Sequence, residues 1–446
     1  MEKLTSLLID ARKKENDTEL LAYLNTLSSA DLSDEISSLH SDQLKQLLSC
    51  LSSKKVAEIL KLLDDNDRSK VVDIIENDQL LTIFKYMKDD DITDIIGDLK
   101  IGRQKDLLNE MNDEDRNVVT ELLKYPEESA GGIMTTAYIA LHDDRTVGEG
   151  LNKICEIAPK TEQIQQIYIL NRKSQLVGSI NLGKLLASPR DQLMKNIMDT
   201  KVISVQPTTD QEEAAKIVAK YDLNTLPVVK KGQLMGVITV DDIIDVVVQE
   251  ADEDMLQLGG ASKEETFDSP LSDTIKMRLP WLLINLVTAF LASSVVDLFQ
   301  GTISKVVALS AIMTIVSGMG GNAATQTMSI VVRHLARDTI SFKEMMADLW
   351  KEILAGIVDG AVNGLVTGIV VYFMYKNFYL SLIVLMAMIG NLIVAAVFGL
   401  MVPIILKKCH QDPAVASSIF VTTATDVLGF FIFLGLAQLF LPLLIK

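Results

Sequence analysis

Cysteine, histidine and tryptophan are all scarce in this 446-residue chain, with 3, 4 and 2 residues respectively. Cys50, Cys155 and Cys409 lie too far apart in sequence to form a metal-ligand pattern. So few cysteines also exclude a disulfide framework and suit a reducing cytosol. The histidines are equally scattered, which argues against a zinc centre. The N-terminal stretch MEKLTSLLIDARKKEND has no uninterrupted apolar core, so it does not read as a signal peptide. The glycines at 318, 320 and 321 lack the Gly-Lys-[Ser/Thr] ending of a phosphate loop and sit inside an apolar run. No nucleophile–base pairing or cofactor loop is visible, and an enzyme is not expected.

Basic residues are outnumbered by acidic ones only in the front of the chain. Residues 1–274 hold 31 Lys+Arg against 51 Asp+Glu, a net of −20, whereas residues 275–446 hold 11 and 8, a net of +3. An acidic soluble body therefore precedes an apolar rear. Such a body repels nucleic acid and attracts cations.

The rear contains five apolar runs, at about 279–299, 305–332, 353–375, 380–406 and 414–445, each as long as a membrane-spanning helix requires. Pro280 suits a first helical turn there and Trp281 an interface. Arg333, Arg337, Lys343 and Lys351 follow the second run, and Lys407 and Lys408 follow the fourth. By the positive-inside rule the N-terminal body is cytosolic, the C-terminus lies outside, and the chain is a multi-pass protein of the cell membrane.

In the body, residues 1–130 carry short amphipathic patterns such as KKVAEILKLL, DITDIIGDL and RNVVTELLKY, separated by polar, Asp-rich turns. This predicts a small α-solenoid. Residues 131–245 hold an internal α/β repeat: IQQIYILNRKSQLVGSINLGKLL is echoed about 60 residues later by LNTLPVVKKGQLMGVITVDDII. The repeat resembles a tandem pair of cystathionine-β-synthase (CBS) domains. In that family a strand ending in G-h-h-[ST]-x-x-D holds an adenosine nucleotide such as ATP. GVITVDD matches through Thr239 and Asp242, whereas GSINLGK has Asn181 and Lys184 and lacks the Asp. Residues 246–270 form a connecting helix and a linker. Asp242, Asp245, Glu250, Glu253 and Asp254 crowd that helix, and Gly259 is its expected cap. A solvated acidic face is the plain reading of this crowding, and a cation-sensing helix is the sharper one.

The pore-like chemistry lies in residues 271–446. Ser418, Thr422 and Asp426 are spaced by four in the last run, and Asn322, Thr325, Gln326 and Ser329 form a stripe in the second. Asn391 and Asp359 add polarity in the fourth and third runs. Interhelical hydrogen bonds that hold a bundle together are one explanation of such stripes. A carboxylate with no basic residue on its own helix is better explained by water or a cation beside it.

Over essentially its whole length the chain resembles the MgtE family of magnesium channels. The resemblance rests on YPEESAGGIMT, TTDQEEAAKIVAKYDLNTLPVV, GVITVDDIID, GGN at 320–322, DPA at 412–414 and TDVLG at 425–429. It implies a homodimer whose two last helices line a central pore, with Asp426 holding hydrated Mg²⁺ and the Ala424 backbone nearby. The connecting helix would be a plug that closes the pore when cytosolic Mg²⁺ is plentiful. Residues matching the family's regulatory Mg²⁺ sites are Glu58, Asp90 or Asp91, Asp94, Glu212, Asp222, Asp242, Asp245, Glu250, Glu253, Asp254 and Asp412. Thr325 and Ser418 stand where the family often has Asn. Two alternatives share these features: an exchanger coupled to Na⁺ or H⁺, with Asp359 as the coupling acid, and a membrane sensor that transports nothing. Other divalent ions (Co²⁺, Ni²⁺, Mn²⁺) are not separated from Mg²⁺ by these residues.

Overall fold

The structure, a computed structural model, describes residues 18–24, 26–36, 39–157, 164–262, 265, 270–337, 342–409 and 413–445. The chain divides into two compact units, Met1–Val247 and Val248–Lys446.

The first unit begins with the solenoid. Each helix packs on the helix two places further along. Ser29–Ile36 meets Ser53–Leu62, which meets Asn77–Phe84, and the intervening series Ser41–Cys50, Asp65–Ile74 and Asp89–Gly97 does the same. Leu32, Leu47, Ile59, Leu60, Val71, Leu80, Ile96 and Leu107 are completely enclosed between the two series. The polar turns end one helix and start the next. Ser52 accepts from the Lys55 N–H, Asp64 from the Asp67 N–H at 2.8 Å and Asn112 from the Asp115 N–H at 2.9 Å. Each satisfies a helix donor that would otherwise have no partner.

The CBS pair follows. Strand β1 (Ile139–His142) runs parallel to β2 (Gln166–Leu170), which pairs antiparallel with β3 (Leu176–Asn181). In the second repeat β4 (Thr225–Lys230) pairs antiparallel with β5 (Gln233–Thr239), and a parallel bridge from Val205 to Val228 stands in for the first strand. Lys231 and Gly232, at φ 54° and 86°, make the tight β4–β5 turn. The repeats meet where the buried Tyr168 hydroxyl lies 2.7 Å from that of Thr225, beside Leu234 and Val237.

The connecting helix runs from Val240 to Leu258, six residues further forward than its sequence-based start. It ends in a Schellman cap, with the Gly260 N–H on the Gln257 carbonyl and the Ala261 N–H on that of Leu256. The residue in the left-handed conformation is therefore Gly260, at φ 77°, and not Gly259.

Among its described residues the second unit has five long helices: Leu271–Leu298, Ala308–Arg337, Phe342–Tyr375, Phe378–Lys408 and Pro413–Leu439. Among the described residues, four helical segments are long and apolar enough to cross a membrane: Leu271–Leu298, Met345–Tyr375, Phe378–Lys408 and Ser418–Leu439. Ala308–Arg337 is 30 residues long but is diluted by its glycines and its Asn/Thr/Gln stripe. The Phe378–Lys408 helix is central, packing on Ala308–Arg337, Phe342–Tyr375 and Pro413–Leu439. Its contact with Phe342–Tyr375 is made at Gly356, Gly360, Gly364 and Gly368, one per turn. A Cβ at Gly360 would stand 2.6 Å from the Ile389 Cα, and one at Gly364 3.0 Å from the Leu385 Cα. Small residues at this spacing let two backbones touch.

Two local expectations change. Pro280 lies inside the first long helix, which starts at Leu271 behind Pro270. The last apolar run breaks at Phe440, and a short helix, Leu441–Leu444, restarts with Pro442 in its first turn, where no N–H is needed.

Candidate functional site

The first unit concentrates carboxylates where the solenoid meets the second CBS repeat. The Asp89–Gly97 helix opens with Asp89, Asp90 and Asp91, a favourable placement at the positive end of a helix. Asp89 accepts the Thr136 hydroxyl and so ties the solenoid to the CBS pair. Asp90 is 6% exposed, and its Oδ1 atom has no hydrogen-bond partner. Burial, with Asp91 and Asp242 nearby, pushes Asp90 up to about 7. Burial also raises Asp94, to about 8, with Glu127, Asp90 and Asp91 adding to the effect and Arg68 opposing it. Asp91 and Asp245 are raised mainly by burial, and both feel Asp242.

A cation already stands in this cluster. The Lys88 ammonium is buried without a hydrogen-bond partner, 3.8 Å from Asp241 Oδ2. Burial works to lower its pKa, but Asp242, Asp90, Asp241 and Asp91 together hold it above the ordinary lysine value. Among the described residues, no three His, Cys, Asp or Glu side chains are arranged to hold a metal ion directly. The unpartnered Asp90 oxygen and the crowded, half-neutralised carboxylates suit a cation that keeps its water shell, as Mg²⁺ does.

The structure thus brings together Asp90, Asp91, Asp94, Asp242 and Asp245 of the acids marked in the sequence. Lys88, Asp241, Lys61 and Glu127 belong to the same cluster and carried no signal beyond being charges among charges. Other marked acids have separate arrangements. Glu58 accepts the Ser29 hydroxyl at 2.7 Å, Glu212 pairs with Lys216 at 2.8 Å, and Asp222 takes the left-handed position that ends the Gln211–Tyr221 helix. Thr239 is completely buried and gives its hydroxyl to Asp242, so both residues marked for a nucleotide bond one another. In the first repeat Asn181 caps the following helix, and Lys184 pairs with Asp199 at 2.8 Å.

In the second unit Asp426 is half-buried and accepts the Ser317 hydroxyl from the Ala308–Arg337 helix. Among the described residues no basic side chain pairs with it. Ala424 is half-buried. Thr422 is exposed and returns its hydroxyl to the Ser418 carbonyl at 2.7 Å. Asn322, Thr325 and Gln326 are exposed on the surface of the unit, with the Thr325 hydroxyl on the Gly321 carbonyl at 2.9 Å. One turn from the Ser317–Asp426 pair, Asn391 is completely buried, with Nδ2 2.8 Å from the Val316 carbonyl.

At the end of the connecting helix, Leu258 packs against the buried cluster of Ala324, Met328, Val332, Ala395 and Val421, and Val421 lies about one turn before Asp426 on the last helix. Gln257 is buried there and donates to Glu253. Glu250 and Asp254 lie on the same helix and are half-buried. Asp359 is exposed on the Phe342–Tyr375 helix. Asp412 lies outside the described residues.

Three comparisons bear on these sites. Residues 313–436 match the family described as MgtE, divalent cation transporter, residues 27–128 match the MgtE intracellular N domain, and residues 194–249 match a CBS domain. The chain is 33% identical over 335 residues to the magnesium transporter MgtE of Bacillus subtilis, covering 75% of this chain and 74% of that protein. It is 33% identical over 347 residues to the magnesium transporter MgtE of Thermus thermophilus, covering 76% and 75%. Its front half is similar to a crystal structure of the cytosolic domain of the Mg²⁺ channel MgtE in complex with ATP. That match has a TM-score of 0.51 and 30% identity, and covers 54% of this chain and 98% of that one.

Proposed function

Because the chain belongs to the MgtE family, we propose that it carries Mg²⁺ across the cell membrane through a pore in which Asp426 binds the hydrated ion. The observation that carries this reading is a membrane-helix carboxylate with no basic partner among the described residues, held by a hydroxyl from the neighbouring helix. The exposed Asn322, Thr325 and Thr422 fit the same scheme. They are polar groups that this unit does not cover with its own helices, and a second copy of the chain would enclose them with water.

Gating follows from the charge of the body. Without divalent ions the clustered acids repel one another. With Mg²⁺ among them, the solenoid, the CBS pair and the connecting helix settle into a closed state. The packing of Leu258 on the cluster that includes Val421 gives the connecting helix a lever on the last helix. An adenosine nucleotide at the CBS pair would have to draw Thr239 out of its bond to Asp242, so its binding and Mg²⁺ sensing would be linked through Asp242.

The test is Mg²⁺ flux into proteoliposomes through Asp426→Asn protein. The substitution keeps the shape and removes the formal charge. At an effective dielectric of about 20, one charge about 5 Å from a dication contributes on the order of 6–7 kcal/mol of gross attraction, most of it offset by water. A net loss of about 1.4–3 kcal/mol weakens occupancy roughly 10- to 150-fold. Folded Asp426→Asn protein should carry little Mg²⁺, and near-normal flux would move the cation site elsewhere. Varying voltage and the Na⁺ and proton gradients separately in the same vesicles distinguishes a channel from an exchanger. In an exchanger, Asp359→Asn should abolish coupling.

A further inference from the structure

Asp426 has two carboxylate oxygens with different surroundings. Oδ1 accepts the Ser317 hydroxyl, and that serine is itself only 8% exposed. The bond joins the last helix to the Ala308–Arg337 helix at a single level of the bundle. One turn further on, the Asn391 amide from the Phe378–Lys408 helix is wedged between the same two helices. A Cβ at Gly320 would lie 2.1 Å from Asn391 Nδ2, and a Cβ at Gly429 would lie 2.7 Å from its Oδ1. Gly320 is three residues from Ser317, and Gly429 is three residues from Asp426. Both helices thus lack a side chain where the amide enters, each one turn from the hydroxyl–carboxylate bond.

Asn391 is an unusual choice for filling space. Its Nδ2 donates to the carbonyl of Val316, the residue before Ser317, but its buried Oδ1 has no hydrogen-bond partner. A leucine, similarly branched, would leave no polar atom unsatisfied. What the amide supplies, and an apolar side chain cannot, is a fixed grip on the backbone that carries Ser317.

We propose that Ser317 is a positioning residue for Asp426: its hydroxyl, steadied by Asn391, holds one carboxylate oxygen so that the other faces a hydrated divalent cation in one orientation. This rests on Asp426 being the cation site. It extends that reading by assigning ion discrimination to the hydroxyl. Mg²⁺ demands near-octahedral geometry and gives up its waters reluctantly, so a carboxylate held still favours the intact hydrate. A carboxylate free to turn can follow an ion that sheds water more readily. Mn²⁺ and Co²⁺ therefore gain relative to Mg²⁺ when the hydroxyl is removed.

The experiment compares wild type, Ser317→Ala, Ser317→Cys and Ser317→Thr in full-length protein in proteoliposomes, with Mg²⁺ and Mn²⁺ influx measured side by side. Elution volume and melting temperature in detergent serve as controls for folding. Ser317→Ala should lower Mg²⁺ flux about tenfold, the change that corresponds to about 1.4 kcal/mol, and Mn²⁺ flux by clearly less. Ser317→Cys, a weak donor of similar size, should fall between Ala and wild type, and Ser317→Thr should restore the preference.

The same alanine substitution is then made in an Asp426→Glu background, where the added methylene moves the carboxylate away from the serine. There it should change little, because the bond it removes is already lost. Ser317→Ala protein with wild-type flux and wild-type Mg²⁺-to-Mn²⁺ preference overturns the proposal, and so does an equal loss for both ions in both backgrounds, which would make the serine a packing residue. If Ser317→Ala does not fold, an unchanged ion preference in Ser317→Cys overturns it instead. None of these outcomes touches the assignment of Asp426, which fails separately if Asp426→Asn conducts normally.

Discussion

The acidic cluster of the first unit makes a pH prediction whose sign follows from burial. Asp90 and Asp94 are raised from 3.8 to about 7 and about 8, mainly by burial among other carboxylates. In the unfolded chain both would release their protons near pH 4. Between pH 4 and pH 7–8 the folded state therefore binds more protons than the unfolded one, and stability falls as pH rises through that window. Below it both states are protonated, and above it both are ionised. For Asp90 the span from 3.8 to about 7 corresponds to about 4 kcal/mol, since each pH unit is worth about 1.36 kcal/mol. Without divalent ions the unit should be most stable below about pH 4 as far as these two groups are concerned, and weakest above pH 8.

A dication placed among these carboxylates favours their ionised forms and so displaces their protons. At pH 7, with Asp90 about half protonated and Asp94 mostly so, Mg²⁺ binding should release about 1.4 protons per chain. Titration calorimetry of the detergent-solubilised protein in buffers of different ionisation enthalpy reads this number directly. The Mg²⁺ midpoint for protease protection should also fall between pH 6 and pH 8, by up to about tenfold per pH unit for each linked proton. Asp90→Asn should remove about a third of the release. Binding heats that do not depend on the buffer, together with equal midpoints at pH 6 and pH 8, would refute the coupling. Equal protection by Na⁺ at matched ionic strength would reduce the effect to screening.

Three further outcomes are expected. Lys88→Met removes the cation resident among Asp90, Asp91, Asp241 and Asp242, so the first unit should be more protease-sensitive without Mg²⁺ yet fully protected at saturating Mg²⁺; unchanged digestion without Mg²⁺ would contradict the role given to that lysine. Gly360→Ala places a methyl group 2.6 Å from the Ile389 Cα, so the two helices must separate and detergent melts should register a loss of about 1–3 kcal/mol, whereas an unchanged melt would deny the close contact. Neutralising Asp242, Asp245, Glu250 and Glu253 together should abolish inhibition by cytosolic Mg²⁺, leaving channels either open or locked shut at every concentration, and normal inhibition would remove the gating proposal.

Much of this organisation is legible in the sequence because it is written in local chemistry. Ser52, Asp64 and Asn112 announce helix starts by residue type alone. The tandem repeat shows itself by recurrence, and Asp426 by being a charge in an apolar run. The unread parts depend on what lies across space. Ser317 falls off the Asn322–Thr325–Gln326–Ser329 stripe, and only the fold turns its hydroxyl to Asp426. The stripe itself faces away from the unit's interior, and the residues that fill the interior at that level are glycines and Asn391. The spacing of Gly356, Gly360, Gly364 and Gly368 was available as a signal for the closest helix pair. Lys88 was not, because a lysine beside three aspartates looks like any solvated charge until burial removes the water.

That lysine bears on how so acidic a body holds together before any divalent ion arrives. Two carboxylates 4 Å apart repel by about 4 kcal/mol at an effective dielectric of about 20, so a fully ionised cluster would not stay buried. The structure contains two means of relief. Asp90 and Asp94 retain protons near neutral pH, and Lys61, Lys88 and Arg68 offset part of the remaining charge. Neither is complete, as the Asp90 Oδ1 atom and the Lys88 ammonium are both buried without hydrogen bonds. A cluster that is neither neutralised nor solvated is balanced between opening to water and closing on a cation. Further fixed lysines would remove the repulsion and the response with it, and exposing the acids would let water screen them. Under the proposed gating, a balance set by one buried lysine and two retained protons need leave a gap of only about a few kcal/mol for Mg²⁺ binding to reverse.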